Sequence, residues 1–186
     1  MRALVVFESM FGNTRAIANA VADGLTSRMS VDVVEVGAAP RVIGDDVGLL
    51  VVGGPTHAFG LSRPNTRQSA TQQADRPVVS AGIGLREWLA AVHGSASVAA
   101  VAFDTRVNKP RVPGSAARGA QKRLRQRGFR IVASAKSFYV TGTPGPLVDA
   151  EPERARRWGE QLASAAQGQA DADGQQPLTP DEPAGR

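Results

Sequence analysis

The sequence predicts an α/β protein of three layers: a doubly wound, five-stranded parallel sheet with helices on both faces. Three observations predict it: apolar, β-branched runs such as LVVF and LLVV, amphipathic segments between them, and alternation of the two along the chain. A strand buried on both faces reads as an unbroken apolar run, and such strands belong to parallel sheets covered by crossover helices. Right-handed crossovers then put helices on both sides.

Residues 3–7 form the first apolar run. Residues 13–29 follow as a helix, with Ile17, Val21 and Leu25 at i, i+4, i+8 spacing. The second strand is expected at 31–36, the connection 37–46 is too short for a long helix, and the third strand is expected at 47–52. Residues 60–80 are polar and without a clear period, so they read as a long loop, either a lid or docking surface or a plain surface excursion. A helix at 83–93 places Leu85, Trp88, Leu89 and Val92 on one stripe, ahead of a fourth strand at 98–103. The helix at 116–127 ends at Gly128, a residue suited to a C-terminal cap, and a less regular fifth strand spans 131–140. The last helix, 152–167, starts behind Asp149 and Glu151 and turns Trp158 and Leu162 inward.

At 186 residues and 42% hydrophobic, the chain supports one core of ordinary size, expected over residues 1–167. From residue 168 on, Asp171, Asp173, Asp181 and Glu182 face only Arg186, and Leu178 is the one large apolar side chain. That acidic tail, 168–186, is expected to be disordered. The apolar start breaks off at Glu8, so it makes neither a signal peptide nor a membrane span, and a cytoplasmic location is expected. The absence of cysteine excludes disulfides, thiolate nucleophiles, cysteine-held zinc and iron–sulfur clusters, so redox chemistry requires a bound cofactor.

In an open parallel sheet, ligands bind outside the carboxyl ends of the strands where the winding reverses. The turn after the first strand, Ser9, Met10, Phe11, Gly12, Asn13 and Thr14, runs straight into a helix. Its backbone N–H groups and the positive end of the helix dipole favour an anion there. Ser9, Asn13 and Thr14 add hydroxyl and amide groups, and Gly12 permits positive φ or close backbone approach. The same residue types also serve simply as helix caps. There is no GxGxxG of dinucleotide folds and no GxxxxGK[ST] of nucleoside triphosphatases.

The spacing Val6-Phe7-x-Ser9-x-x-Gly12-x-Thr14-x-x-x-Ala18-x-x-Val21 resembles the signature of the flavodoxin family. The resemblance implies strand order 2-1-3-4-5 and flavin mononucleotide (FMN) bound at the tips of strands 1, 3 and 4. Those positions are the phosphate loop, the segment Gly53 to Gly60 with Pro55, Thr56, His57 and Phe59, and the segment Phe103, Asp104, Thr105 and Arg106. The last two segments are then expected to flank the flavin ring. Phe59 and Phe103 are the aromatic residues at those places, Phe103 being equally readable as the last core residue of its strand. Family members commonly use Trp and Tyr there. His57 is a second candidate for a ring contact or a solvated loop residue. Gly53, Gly54 and Gly60 read either as turn residues or, for Gly60, as the peptide that the family turns over beside the ring on reduction.

Ten basic residues lie between Asp104 and Lys136, with Asp104 the one acid. Arg118, Lys122 and Arg125 share a helix face, readable as a solvated surface or as a docking site for an acidic redox partner or for NADPH phosphates. Neither helix-turn-helix spacing, zinc ligands nor interleaved aromatics accompany this charge, which argues against nucleic acid. The leading expectation is an FMN protein carrying electrons between partners. An FMN-dependent oxidoreductase acting on NAD(P)H, quinone or porphyrinogen comes second, and a flavin-less binding module with a basic surface third.

Overall fold

The computed structural model describes residues 1–109 and 113–173. Its sheet runs in the order β2-β1-β3-β4-β5, built from β1 (Arg2–Phe7), β2 (Ser30–Glu35), β3 (Val47–Pro55), β4 (Ala99–Val107) and β5 (Arg130–Ile131). A sixth strand, β6 (Lys136–Val140), also pairs with β4, and every strand pairing is parallel. The helices are α1 (Asn13–Leu25), α2 (Pro64–Gln72), α3 (Leu85–Ala91), α4 (Ala116–Gln126) and α5 (Glu151–Asp173).

Side chains alternate across the sheet into two cores. Ala3, Val5, Leu49, Val51, Val101 and Phe103 face α1 and α5, meeting Ile17, Val21, Leu25, Trp158 and Leu162. Leu4, Val6, Leu50, Val52 and Ala102 face α3 and α4, meeting Leu85, Trp88, Leu89, Ala117, Ala120 and Leu124. α1 and α5 cross so closely that a Cβ on Gly159 would stand 2.2 Å from the Val21 carbonyl oxygen. Glycine there is a packing requirement. The central strands are apolar on both faces, as the unbroken runs foretold.

Four boundaries differ from the sequence reading. The expected fifth strand is two pieces, because Gln121 of α4 draws the chain between them off the ladder: it accepts from the Ala135 N–H at 3.0 Å and donates to the Ala133 carbonyl at 3.2 Å. The segment 60–80 is not one long loop but contains α2, which buries only Arg67 and Ala70 and so shows no apolar period. β3 and β4 run on through Pro55 and Val107, carrying Gly53, Gly54, Asp104 and Thr105 into the sheet. The last helix continues to Asp173, so the expected tail is helical over its first residues, and 174–186 lie outside the described residues.

Candidate functional site

The turn between β1 and α1 is pinned from outside and open within. Met10 and Ser9 carbonyls accept from the N–H groups of Val79 and Ser80 at 3.0 and 2.8 Å, and the Ser9 N–H donates to Ser80 Oγ at 3.0 Å. Ser9 Oγ accepts from the Gly12 N–H at 3.1 Å, so this buried hydroxyl shapes the loop itself. Gly12 has φ of 92°, a left-handed conformation that favours glycine, and it turns the chain into α1. The backbone N–H groups of Met10, Phe11, Asn13, Thr14 and Arg15 find no acceptor among the described residues. Helix termini normally satisfy such groups with caps, water or ligand. Here they form a cluster of donors at the positive end of the helix dipole.

Around them, side chains fasten the loop to its neighbours. Thr14 and Thr105 hydroxyls share a buried 2.7 Å hydrogen bond that ties the start of α1 to β4. Asn13 donates from Nδ2 to the Pro144 carbonyl at 3.0 Å, drawing the chain after β6 beside the loop. The resulting pocket, of about 80 Å³, is lined by the loop, by Pro55, Thr56 and His57, by Thr105, Arg106 and Val107, and by Val140 and Thr143. No carboxylate lines it. It shares Thr56, His57 and Thr143 with a wider hollow of about 250 Å³ against Thr66, Ser69, Ala70 and Gln73, where α2 forms the wall. An anion is compatible with these walls.

His57 joins the two hollows. Its Nδ1 lies 3.3 Å from Thr66 Oγ1, while Nε2 has no partner among the described residues. Burial, with the charge of Arg67, lowers its pKa below 6.5, so the ring is neutral at pH 7. Arg67 itself bridges Glu87 at 3.1 Å and donates to Ser62 Oγ at 3.0 Å. Beneath the loop, the buried Glu8 carboxylate accepts from the Leu85 N–H at 2.7 Å and so caps α3. Desolvation raises the Glu8 pKa against the pull of the Ser62 and Leu85 hydrogen bonds and of Arg67.

Of the residues singled out in the sequence, Ser9, Met10, Phe11, Asn13, Thr14, Pro55, Thr56, His57 and Thr105 line one pocket, with Gly12 in the loop that forms it. Phe103 does not join them. It is 1% exposed, packs edge-on against Phe138 and Trp158 at 5.9 and 6.3 Å, and is the core residue of its strand. A Cβ on Gly53 would stand 1.9 Å from its ring, so Gly53 serves that packing rather than a turn. Asp104 is also fully buried: Oδ2 accepts from Thr56 Oγ1 at 2.9 Å, Ser115 Oγ at 2.6 Å and the Ala117 N–H at 3.0 Å. It anchors the start of α4 and lies behind the pocket wall.

Gly60 differs from the expectation as well. Both its backbone groups are tied to His57, at 2.9 and 3.0 Å, and the positive φ values fall on Ala58 and Phe59 instead, at 42° and 72°. That two-residue turn points the 61% exposed Phe59 to a different hollow, shared with α4. Val107, Val140 and Thr143 are pocket walls that the sequence reading missed. Their place depends on how far β4 runs and on the path after β6, for which a single sequence carries no periodic signal.

Strand order and parallel pairing define a doubly wound, open-sheet class of domain, with a donor-rich turn at the carboxyl end of β1. A family model described as Flavodoxin matches residues 5–159, and the chain belongs to the flavodoxin family. Among solved structures, flavodoxin 1 from Bacillus cereus aligns with TM-score 0.63 at 16% identity, covering 88% of this chain and 98% of that one. A Streptococcus pneumonia TIGR4 flavodoxin aligns with TM-score 0.62 at 20% identity, covering 88% and 99%. A flavodoxin from the domain Archaea gives 0.59 at 17%, covering 90% and 99%. At these identities the likeness is one of fold. No match was found among curated proteins. No described helix is long and apolar enough to cross a membrane.

Proposed function

We propose that this chain binds FMN and carries electrons between redox partners. The reading rests on the N–H groups of Met10, Phe11, Asn13, Thr14 and Arg15, which have no acceptor among the described residues and would form a cradle for a phosphomonoester without any lysine in the loop. Ser9 and Gly12 hold the loop open, while Asn13, Thr14 and Arg15 direct their N–H groups from the first turn of the helix. Pro55, Thr56 and His57, with Thr105 and Val107, wall the side on which the ring would rest. Neutral His57 offers Nε2 as a hydrogen-bonding group at the ring edge. Bound FMN supplies one- and two-electron transfer, so no side chain need act as an acid or base. Arg118, Lys122 and Arg125 are exposed and form no ion pair among the described residues, which supports docking of an acidic partner.

A second reading, an FMN-dependent oxidoreductase, draws on the hollow of about 250 Å³ beside His57, which has room for part of a small substrate. Reconstitution decides the first point. Excess FMN is expected to give protein-bound flavin absorbance, and riboflavin, which lacks the phosphate, is expected to bind far more weakly. Absence of FMN binding would overturn both redox readings in favour of a binding module. With flavin bound, steady NADPH oxidation with a quinone present would identify an enzyme rather than a carrier.

A further inference from the structure

Away from the phosphate loop, cations without acids line a hollow of about 330 Å³ between α4 and the turn after β3. Its walls include Phe59, Leu61, Arg86, Lys122, Arg123 and Gln126, and no Asp or Glu. Arg86 is fixed in place: Nε donates to the Ser62 carbonyl at 2.8 Å and Nη2 to the Leu61 carbonyl at 2.7 Å. Both hydrogen-bond partners are neutral, and the carboxylates of Glu87 and Glu8 act on Arg86 from outside the lining of the hollow. Lys122 and Arg123 form no ion pair among the described residues. Burial first, and then the like charges of Arg123 and Arg63, push the Arg86 pKa down against the pull of Glu87 and Glu8.

At the rim stands Phe59. Ala58 and Phe59 occupy the two central positions of a tight hairpin turn, both at positive φ. Glycine, asparagine and aspartate are the residues that suit such a turn, and L side chains at both positions cost free energy. The fold accepts that strain and holds an aromatic ring outward, 61% exposed, beside the cations.

We propose that this hollow binds a nucleoside diphosphate, with its phosphates among Arg86, Lys122 and Arg123 and its base stacked on Phe59. Guanidinium groups match phosphate oxygens in pairs, and an aromatic face receives any base. The hollow lies within the size range of small-molecule sites, at its lower end. Its concavity separates it from the exposed Arg118 and Arg125, which lie outside it. Three cations call for a ligand with more than one phosphate charge. This site is distinct in position and composition from the phosphate loop.

Amide shifts in NMR spectra of the full chain, titrated separately with ADP, inorganic pyrophosphate and adenosine, test the proposal. ADP is expected to shift residues 59–61 and 119–126. The double variant Lys122→Ser/Arg123→Ser, at an exposed and a half-buried position, is expected to weaken ADP by at least about tenfold, as loss of charge-assisted hydrogen bonds would. Phe59→Gly, which also relieves the turn, is expected to weaken ADP several-fold and leave pyrophosphate unaffected. Shifts confined to residues 10–15, undiminished ADP binding by the double variant, or no ADP binding at all would overturn the proposal. Equal loss of ADP and pyrophosphate in Phe59→Gly would overturn the stacking of the base.

Discussion

A single backbone angle carries much of the turn between β1 and α1. Gly12 at φ 92° has open space around its Cβ position, with only Arg15 within 4.0 Å, so Gly12→Ala tests conformation rather than packing. It is expected to cost about 1–2 kcal/mol of stability in urea unfolding and to weaken FMN binding in titration. Two titratable groups, the buried Glu8 and the half-buried His57, give the loop's surroundings opposite pH signatures. The native state holds the proton of Glu8 more tightly than the unfolded chain does, so its contribution is complete below pH 4.5 and fades as pH rises. The stability of wild type relative to Glu8→Gln should therefore fall as pH increases from that value. His57 is the reverse: its contribution is complete above pH 6.5 and is lost on acidification, so the advantage over His57→Gln should shrink below it. Urea unfolding across both pH ranges checks the two signs. Ser9, Gly12 and Thr14 were legible as residues of the turn because a family signature fixes those residue types at fixed spacing. Phe103 was not, because an aromatic residue at a strand end fits a cofactor wall or a core equally until its neighbours Phe138 and Trp158 are known.

Elements were legible where burial enforced a period. α1 buries Ile17, Val21 and Leu25 on one stripe, and β1 and β3 are buried along nearly their whole length. α2 was not, since a short helix that buries only Arg67 and Ala70 leaves no apolar trace. Its start is fixed by a proline at Pro64 and by the Arg63 N–H donating to Thr66 Oγ1 at 2.9 Å. The break between β5 and β6 was hidden for another reason, because it depends on Gln121, which reaches it from a different element. The crossing of α1 and α5 sets the element-scale prediction. Gly159→Ala would force a Cβ to 2.2 Å from a backbone oxygen that cannot rotate away. It is expected to cost about 1–3 kcal/mol, as overpacking does, with a lower midpoint in urea and little change in which strands pair.

Across the whole molecule, basic charge outweighs acidic. The chain carries 22 Lys and Arg against 17 Asp and Glu, a net charge of +5. A positive charge ~10 Å from the flavin in a water-like medium is worth ~0.4 kcal/mol, or roughly 18 mV for one electron, and salt reduces this further. Several charges together should make the second one-electron couple of bound FMN less negative by tens of millivolts than in an acidic relative. Redox titration at low and high salt checks both the sign and its screening. The strand order was legible only through the family signature, since apolar runs identify strands but not their neighbours. The glycine contact between α1 and α5 bears finally on biosynthesis. α1, which presents the phosphate loop, finds its cover in the last helix, with most of the chain between them. Such non-local closure comes late in folding, so a nascent chain still on the ribosome would expose the apolar back of α1 until α5 emerged. Cofactor capture would then wait until α5 has been made and has docked on α1.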